Sequence, residues 1–101
     1  MKLVQILLPL RDNQGRKFDQ PLYAEVHDEL ISRFGGVTAY TRSPARGLWQ
    51  SAGSTKRDDV IIVEVMAKIF RLRWWRKYRR ALEKKFRQDE IVVRAQNITR
   101  I

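Results

Sequence analysis

Residues 60–87 read VIIVEVMAKIFRLRWWRKYRRALEKKFR, and two periodicities meet within them. The first six, Val60-Ile61-Ile62-Val63-Glu64-Val65, place five β-branched residues around one glutamate, which is strand composition. From Ile69 the period becomes helical. Phe70, Trp74, Tyr78, Leu82 and Phe86 fall on one side of a helix that runs to Arg87, with Trp75 and Ala81 flanking them. Arg73, Arg76, Lys77, Arg80, Lys84 and Arg87 fall on the opposite arc. A strand feeding an amphipathic helix is one half of an α+β unit.

The flanking sequence supplies the other half. Residues 2–8 alternate, with Val4, Ile6 and Leu8 on one face and Leu3, Gln5 and Leu7 on the other. Residues 11–17 are polar and read as a loop. Asp19 or Gln20 caps a helix with Pro21 in its first turn. Leu22, Tyr23, Val26, Leu30 and Phe34 recur at helical spacing, and Gly35-Gly36 stops the run. Residues 37–41 are β-rich, and 43–47 turn or bulge that run. Residues 48–51 read as a hairpin partner or a continued edge strand, and 52–59 as a further turn. Glu90 to Ala95 closes as a strand. The order β-α-β-(β)-β-α-β predicts one α+β domain over residues 1–101. Its expected architecture is a ferredoxin-like plait, an antiparallel sheet with two helices on one face.

Phe34-Gly35-Gly36-Val37-Thr38 after the first helix, Gly47-Leu48-Trp49 in the middle and Asp59-Val60-Ile61-Ile62-Val63 beyond carry a resemblance. In this order of elements the chain resembles small ferredoxin-like (α/β plait) bacterial proteins of uncharacterised function. The resemblance spans most of the chain and implies a fold without an activity, because this fold hosts many unrelated functions.

A hydrophobic fraction of 44% supports a packed core, and 101 residues suit a single one. The absence of cysteine excludes disulfides, thiolate nucleophiles and Cys-based metal sites, and fits a reducing compartment. The N-terminal apolar run is short, Gln5 interrupts it, and no small-residue cleavage site follows, so it reads as a strand and not a leader. No stretch reaches the roughly 20 apolar residues of a membrane span. The expected location is the cytoplasm.

In a plait, one sheet face stays open. Val4, Ile6, Ile61, Val63, Val65, Ile91 and Val93 are assigned to the helix side. The open side then carries Leu3, Gln5, Leu7, Val60, Ile62, Glu64, Met66, Val92, Arg94 and Gln96, of which six are apolar. Burying each large one stabilises by roughly 1.5–3 kcal/mol, so a cover is expected, most simply a second copy of the chain. Plait order brings Gln5 beside Glu64 and Arg94. One reading is a small-ligand site in the dimer cavity, with Arg94 holding a carboxylate and Glu64 as base. The other is an ion pair with a hydrogen-bonding neighbour that fixes register.

The net charge of +10 is local: residues 69–87 hold nine basic residues against Glu83 alone. Arg73, Arg76, Lys77, Arg80 and Lys84 can track a phosphate backbone, with Trp74, Trp75 and Tyr78 as stacking surfaces. Equally, the aromatics can be the core stripe and the basic arc its solvated face, partly answered by Glu25, Asp28 and Glu29 of the first helix. The RNA-recognition motif needs a Lys/Arg-Gly-aromatic strand, and Val60–Val65 carries no aromatic and one acid. Nucleic acid would therefore use the helix, not the sheet. Membrane binding ranks below both, since one helix cannot give its aromatic face to lipid and core together.

Catalytic signals are sparse, and neither a catalytic residue nor a cofactor is assigned. His27, the only histidine, reads as a boundary residue beside Asp28. No metal site is expected, and Asp58-Asp59 reads as a solvated turn. Gly35-Gly36 follows a helix and precedes a strand, the wrong order for a phosphate loop. Trp49 reads as structural. Catalysis on the dimer cavity stays open, because plait enzymes work with few polar groups.

Overall fold

The computed structural model of the chain describes residues 1–42 and 60–101. Its elements are β1 (Lys2–Pro9), α1 (Gln20–Phe34), β2 (Thr38–Arg42), β3 (Val60–Ala67), α2 (Leu72–Lys85) and β4 (Val93–Asn97). The four strands form one sheet in the order β2-β3-β1-β4, and every neighbouring pair is antiparallel. This is an α+β fold with two helices on a four-stranded antiparallel sheet. The turn and hairpin readings over 43–59, with Trp49 and the Asp58-Asp59 pair, lie outside the described residues.

Alternation does the sorting in the central strands. Val4, Ile6 and Leu8 of β1 are wholly buried, and Val63, Val65 and Ala67 of β3 join them. Val26 and Leu30 of α1 and Trp75, Tyr78 and Leu82 of α2 close the same cluster, so both helices cover this one face. β-branched side chains suit that pleated, covered surface.

The helix ends depend on backbone chemistry more than on side-chain caps. Asp19 holds the N-cap position of α1, but its carboxylate makes no capping hydrogen bond. Pro21 occupies the first turn, where no N–H is needed. At the other end, Gly35 takes φ +80°, and its N–H bonds the Ile31 carbonyl. Only glycine adopts that left-handed cap without steric cost.

The structure moves two boundaries of the sequence reading and refines one helix face. α2 begins at Leu72 and not Ile69, because Ile69 and Phe70 lie in the connection, with Ile69 68% exposed. Apolar residues in a connection continued the helical pattern by coincidence. β4 begins at Val93 and not Glu90, although Leu7 N–H still reaches the Val92 carbonyl. Within α2, Trp75 is buried and Trp74 only half-buried, while Ala81 is exposed. Adjacent residues lie about 100° apart on a helix, so the two tryptophans straddle the stripe edge.

Candidate functional site

α2 is basic because of what it does not pair with. Its core face, Trp75, Tyr78 and Leu82, is spent on the sheet and α1. Arg73, Arg76, Lys77, Arg80 and Lys84 are all exposed on the outer face. None of the five makes an ion pair among the described residues. The acids of α1 answer part of the charge of α2, as the sequence reading expected, but at Lys85 and not at these five. Glu25 and Glu29 both converge on Lys85, at 2.9 and 3.2 Å, and His27 Nδ1 lies 3.3 Å from Asp28. Burial would lower the pKa of Lys85, but the hydrogen bonds to Glu25 and Glu29 outweigh it and raise the value above 10.5.

Glu83, the single acid of the segment, is also occupied. Its carboxylate accepts the Ile91 N–H at 3.0 Å, which ties α2 to the chain leading into β4. Arg79 Nε stands 3.9 Å from it and is buried without a hydrogen bond. The available carboxylates thus brace the fold and leave the arc uncompensated.

The aromatics do not offer free stacking faces. Trp74 stacks on Tyr78 at 4.9 Å and meets Trp75 edge-on at 4.8 Å, while Phe34 stacks on Trp75 at 5.2 Å. The Arg33 guanidinium lies over the Trp74 ring, 4.3 Å from its centroid. With Trp75 and Tyr78 buried and Trp74 so occupied, the expected base-stacking role of these three rings is withdrawn.

The Tyr78 hydroxyl is buried without a hydrogen bond. Burial, and then the negative charge of Glu29, push its pKa far above the ordinary 10.0. Burial raises Tyr23 as well. A raised folded-state pKa means full stability below the unfolded value and progressive loss above it. Stability is therefore expected to fall above about pH 10, by about 1.4 kcal/mol per pH unit for Tyr78. Tyr78→Phe should flatten that slope and cost little at pH 7, because it removes an unsatisfied hydroxyl. Denaturant midpoints at pH 7 to 11 check both; an unchanged alkaline slope in the variant would refute the assignment.

On the open sheet face, the structure brings Gln5, Glu64 and Arg94 together. Register pairs Gln5 with both Glu64 and Arg94. Arg94 Nε donates to Gln5 Oε1 at 2.8 Å, and Gln5 Nε2 donates to Glu64 Oε2 at 3.2 Å. Glu64 and Arg94 form no direct ion pair. They stand on strands either side of β1, roughly 10 Å apart at two strand spacings, and the Gln5 amide bridges them. The apolar residues around this row are less open than their pattern implied. Ile62 is buried and Leu3, Leu7 and Val60 are half-buried, which leaves Met66 and Val92 at 47% and 45% exposure.

A larger feature lies where the end of α1 meets the start of α2. A cleft of about 1050 Å³ opens there, with Arg33, Lys68, Arg71 and Arg100 on its walls, Trp74 beside them and Glu64 as its one acid. Sequence reasoning missed it. The signal available was topological: two helices running antiparallel on one sheet face set the last turn of one beside the first turn of the other. Among the described residues no three His, Asp or Glu side chains converge as metal ligands, and no helix is long and apolar enough to cross a membrane. The chain matches no family model, no curated protein and no solved structure.

Proposed function

We propose that this protein is a nucleic-acid-binding module whose contact surface is the outer face of α2. One observation carries the reading: Arg73, Arg76, Lys77, Arg80 and Lys84 share an exposed face without an ion pair among the described residues, while Glu25, Glu29 and Glu83 are committed elsewhere. Clustering like charges without compensation costs energy that a phosphate backbone would repay. Strand β3 offers Glu64 where base-stacking sheets carry an aromatic, which favours the helix over the sheet as the contact surface. The ferredoxin-like plait belongs to the same reading, supported by the strand order and by both helices lying on one face. So does a cytoplasmic location, supported by the cysteine-free sequence. The test is anisotropy of labelled single- and double-stranded DNA and RNA across a salt series. Binding should weaken steeply with salt and show little sequence preference, and no binding at low salt would end the proposal.

A second reading concerns the open face, where Met66 and Val92 stay exposed beside the Gln5, Glu64 and Arg94 row. A second copy packed sheet to sheet would cover them and enclose that row in a cavity able to hold a small ligand. Light scattering should then give twice the chain mass of 12.0 kDa, and a mass that stays at one chain up to high concentration would exclude it.

A further inference from the structure

The cleft between the helix ends joins residues that are distant in sequence. Arg33 comes from the last turn of α1, Lys68 and Arg71 from the connection between β3 and α2, and Arg100 from beyond β4. All four are exposed, and none is ion-paired among the described residues. Folding has therefore gathered four like charges around one hollow, an unfavourable arrangement unless an anion enters. Arg33 is held over the Trp74 ring, so its guanidinium is restrained and presents a planar surface. Purine and pyrimidine bases stack on such guanidinium planes as they do on aromatic rings. Glu64 adds a feature that a site for phosphate alone would not want. One of its oxygens accepts from the Gln5 amide, the other has no partner among the described residues, and the residue lines the cleft. The volume is at the upper end of ordinary small-ligand sites, which run to about 1,000 Å³.

We propose that this cleft binds a nucleoside phosphate with an amino-bearing base. The phosphate is held by Lys68, Arg71 and Arg100, the base lies against the Arg33 guanidinium, and its exocyclic amine donates to Glu64. The ligand is either a free nucleotide or the terminal nucleotide of a strand; only the strand form rests on the α2 reading.

Calorimetric titration of the whole protein with adenosine monophosphate, uridine monophosphate and inorganic phosphate tests it. Adenosine monophosphate should bind tightest, and Lys68→Gln with Arg100→Gln should weaken it by at least about tenfold, the loss of one charged hydrogen bond or more. Arg76→Glu with Arg80→Glu should leave it unchanged, which separates this site from the α2 face. No nucleotide binding, or equal binding of inorganic phosphate and adenosine monophosphate, would overturn the proposal. Equal binding by the Lys68→Gln/Arg100→Gln variant would overturn it too. A single-stranded oligonucleotide with and without a 5′-phosphate then identifies the source. A preference for the phosphorylated end that vanishes in the cleft variant marks a strand terminus, and no preference marks a free nucleotide.

Discussion

Arg76→Glu combined with Arg80→Glu is expected to weaken single-strand binding by about 100- to 1000-fold at 0.1 M salt. Each neutralised phosphate contributes roughly 0.7 to the slope of log affinity against log salt for a single strand. Five engaged cations on α2 thus give a slope near −3.5. Reversing two removes their contacts and sets two carboxylates against neighbouring phosphates, so the net engagement falls to about one and the slope to about −0.7. Arg76 and Arg80 are exposed and make no ion pair among the described residues, so folding should change by no more than about 0.5 kcal/mol. The salt slope and the circular dichroism of the variant are the two readouts. Lost affinity with an unchanged slope would mean that the arc never touched phosphate. An unchanged affinity would return the arc to a solvated face.

What the chain disclosed before its structure divides along physical lines. The row of Gln5, Glu64 and Arg94 was legible because a period of two fixes facing and an antiparallel order fixes neighbours. Their chemistry was less legible. Of the two readings of the row, a ligand site and an ion pair with a hydrogen-bonding neighbour, the second meets a bridging amide in place of the direct pair, because the distance across an intervening strand does not show in a pattern of alternation. α2 was legible as an amphipathic helix, yet Ile69 and Phe70 extended its apparent start, since Phe70 packs on the core from the connection while Ile69 is apolar but exposed. The destination of the acids on α1 was hidden for a different reason. Glu25 and Glu29 sit at helical spacing on a shared face, but which cation faces them depends on how the two helices are offset. That offset chose Lys85 and left the outer arc bare. Least legible was the cleft, whose cations come from three separate parts of the chain and meet only after the sheet and both helices are assembled.

Phe86→Ala is expected to give the largest change in stability, a loss of about 3–5 kcal/mol. Phe86 is wholly buried immediately after α2, with its N–H bonded to the Leu82 carbonyl at 2.9 Å. Its ring meets Phe18 edge-on at 5.2 Å and Tyr23 at 5.4 Å. Tyr23 is itself anchored, since its hydroxyl donates to the Pro9 carbonyl at 2.6 Å. One ring therefore joins the end of α2 to α1, to the segment before α1 and to the end of β1. Neighbours held this firmly cannot collapse into the space left by truncation, so the cavity penalty adds to the lost transfer energy. Phe86→Leu keeps most of the volume and should cost less than half as much. Against a total near 5–15 kcal/mol, the alanine variant should remain folded at low temperature with a sharply lowered urea midpoint. It also separates fold from function. Below its transition the outer face of α2 is unchanged, so its affinity for a single strand should match that of the natural chain. Binding lost while the far-ultraviolet spectrum stays native would place Phe86 in the contact surface, against its complete burial. A cost below about 1 kcal/mol would mean that the helix end relaxes into the gap, and that this corner is looser than its contacts imply.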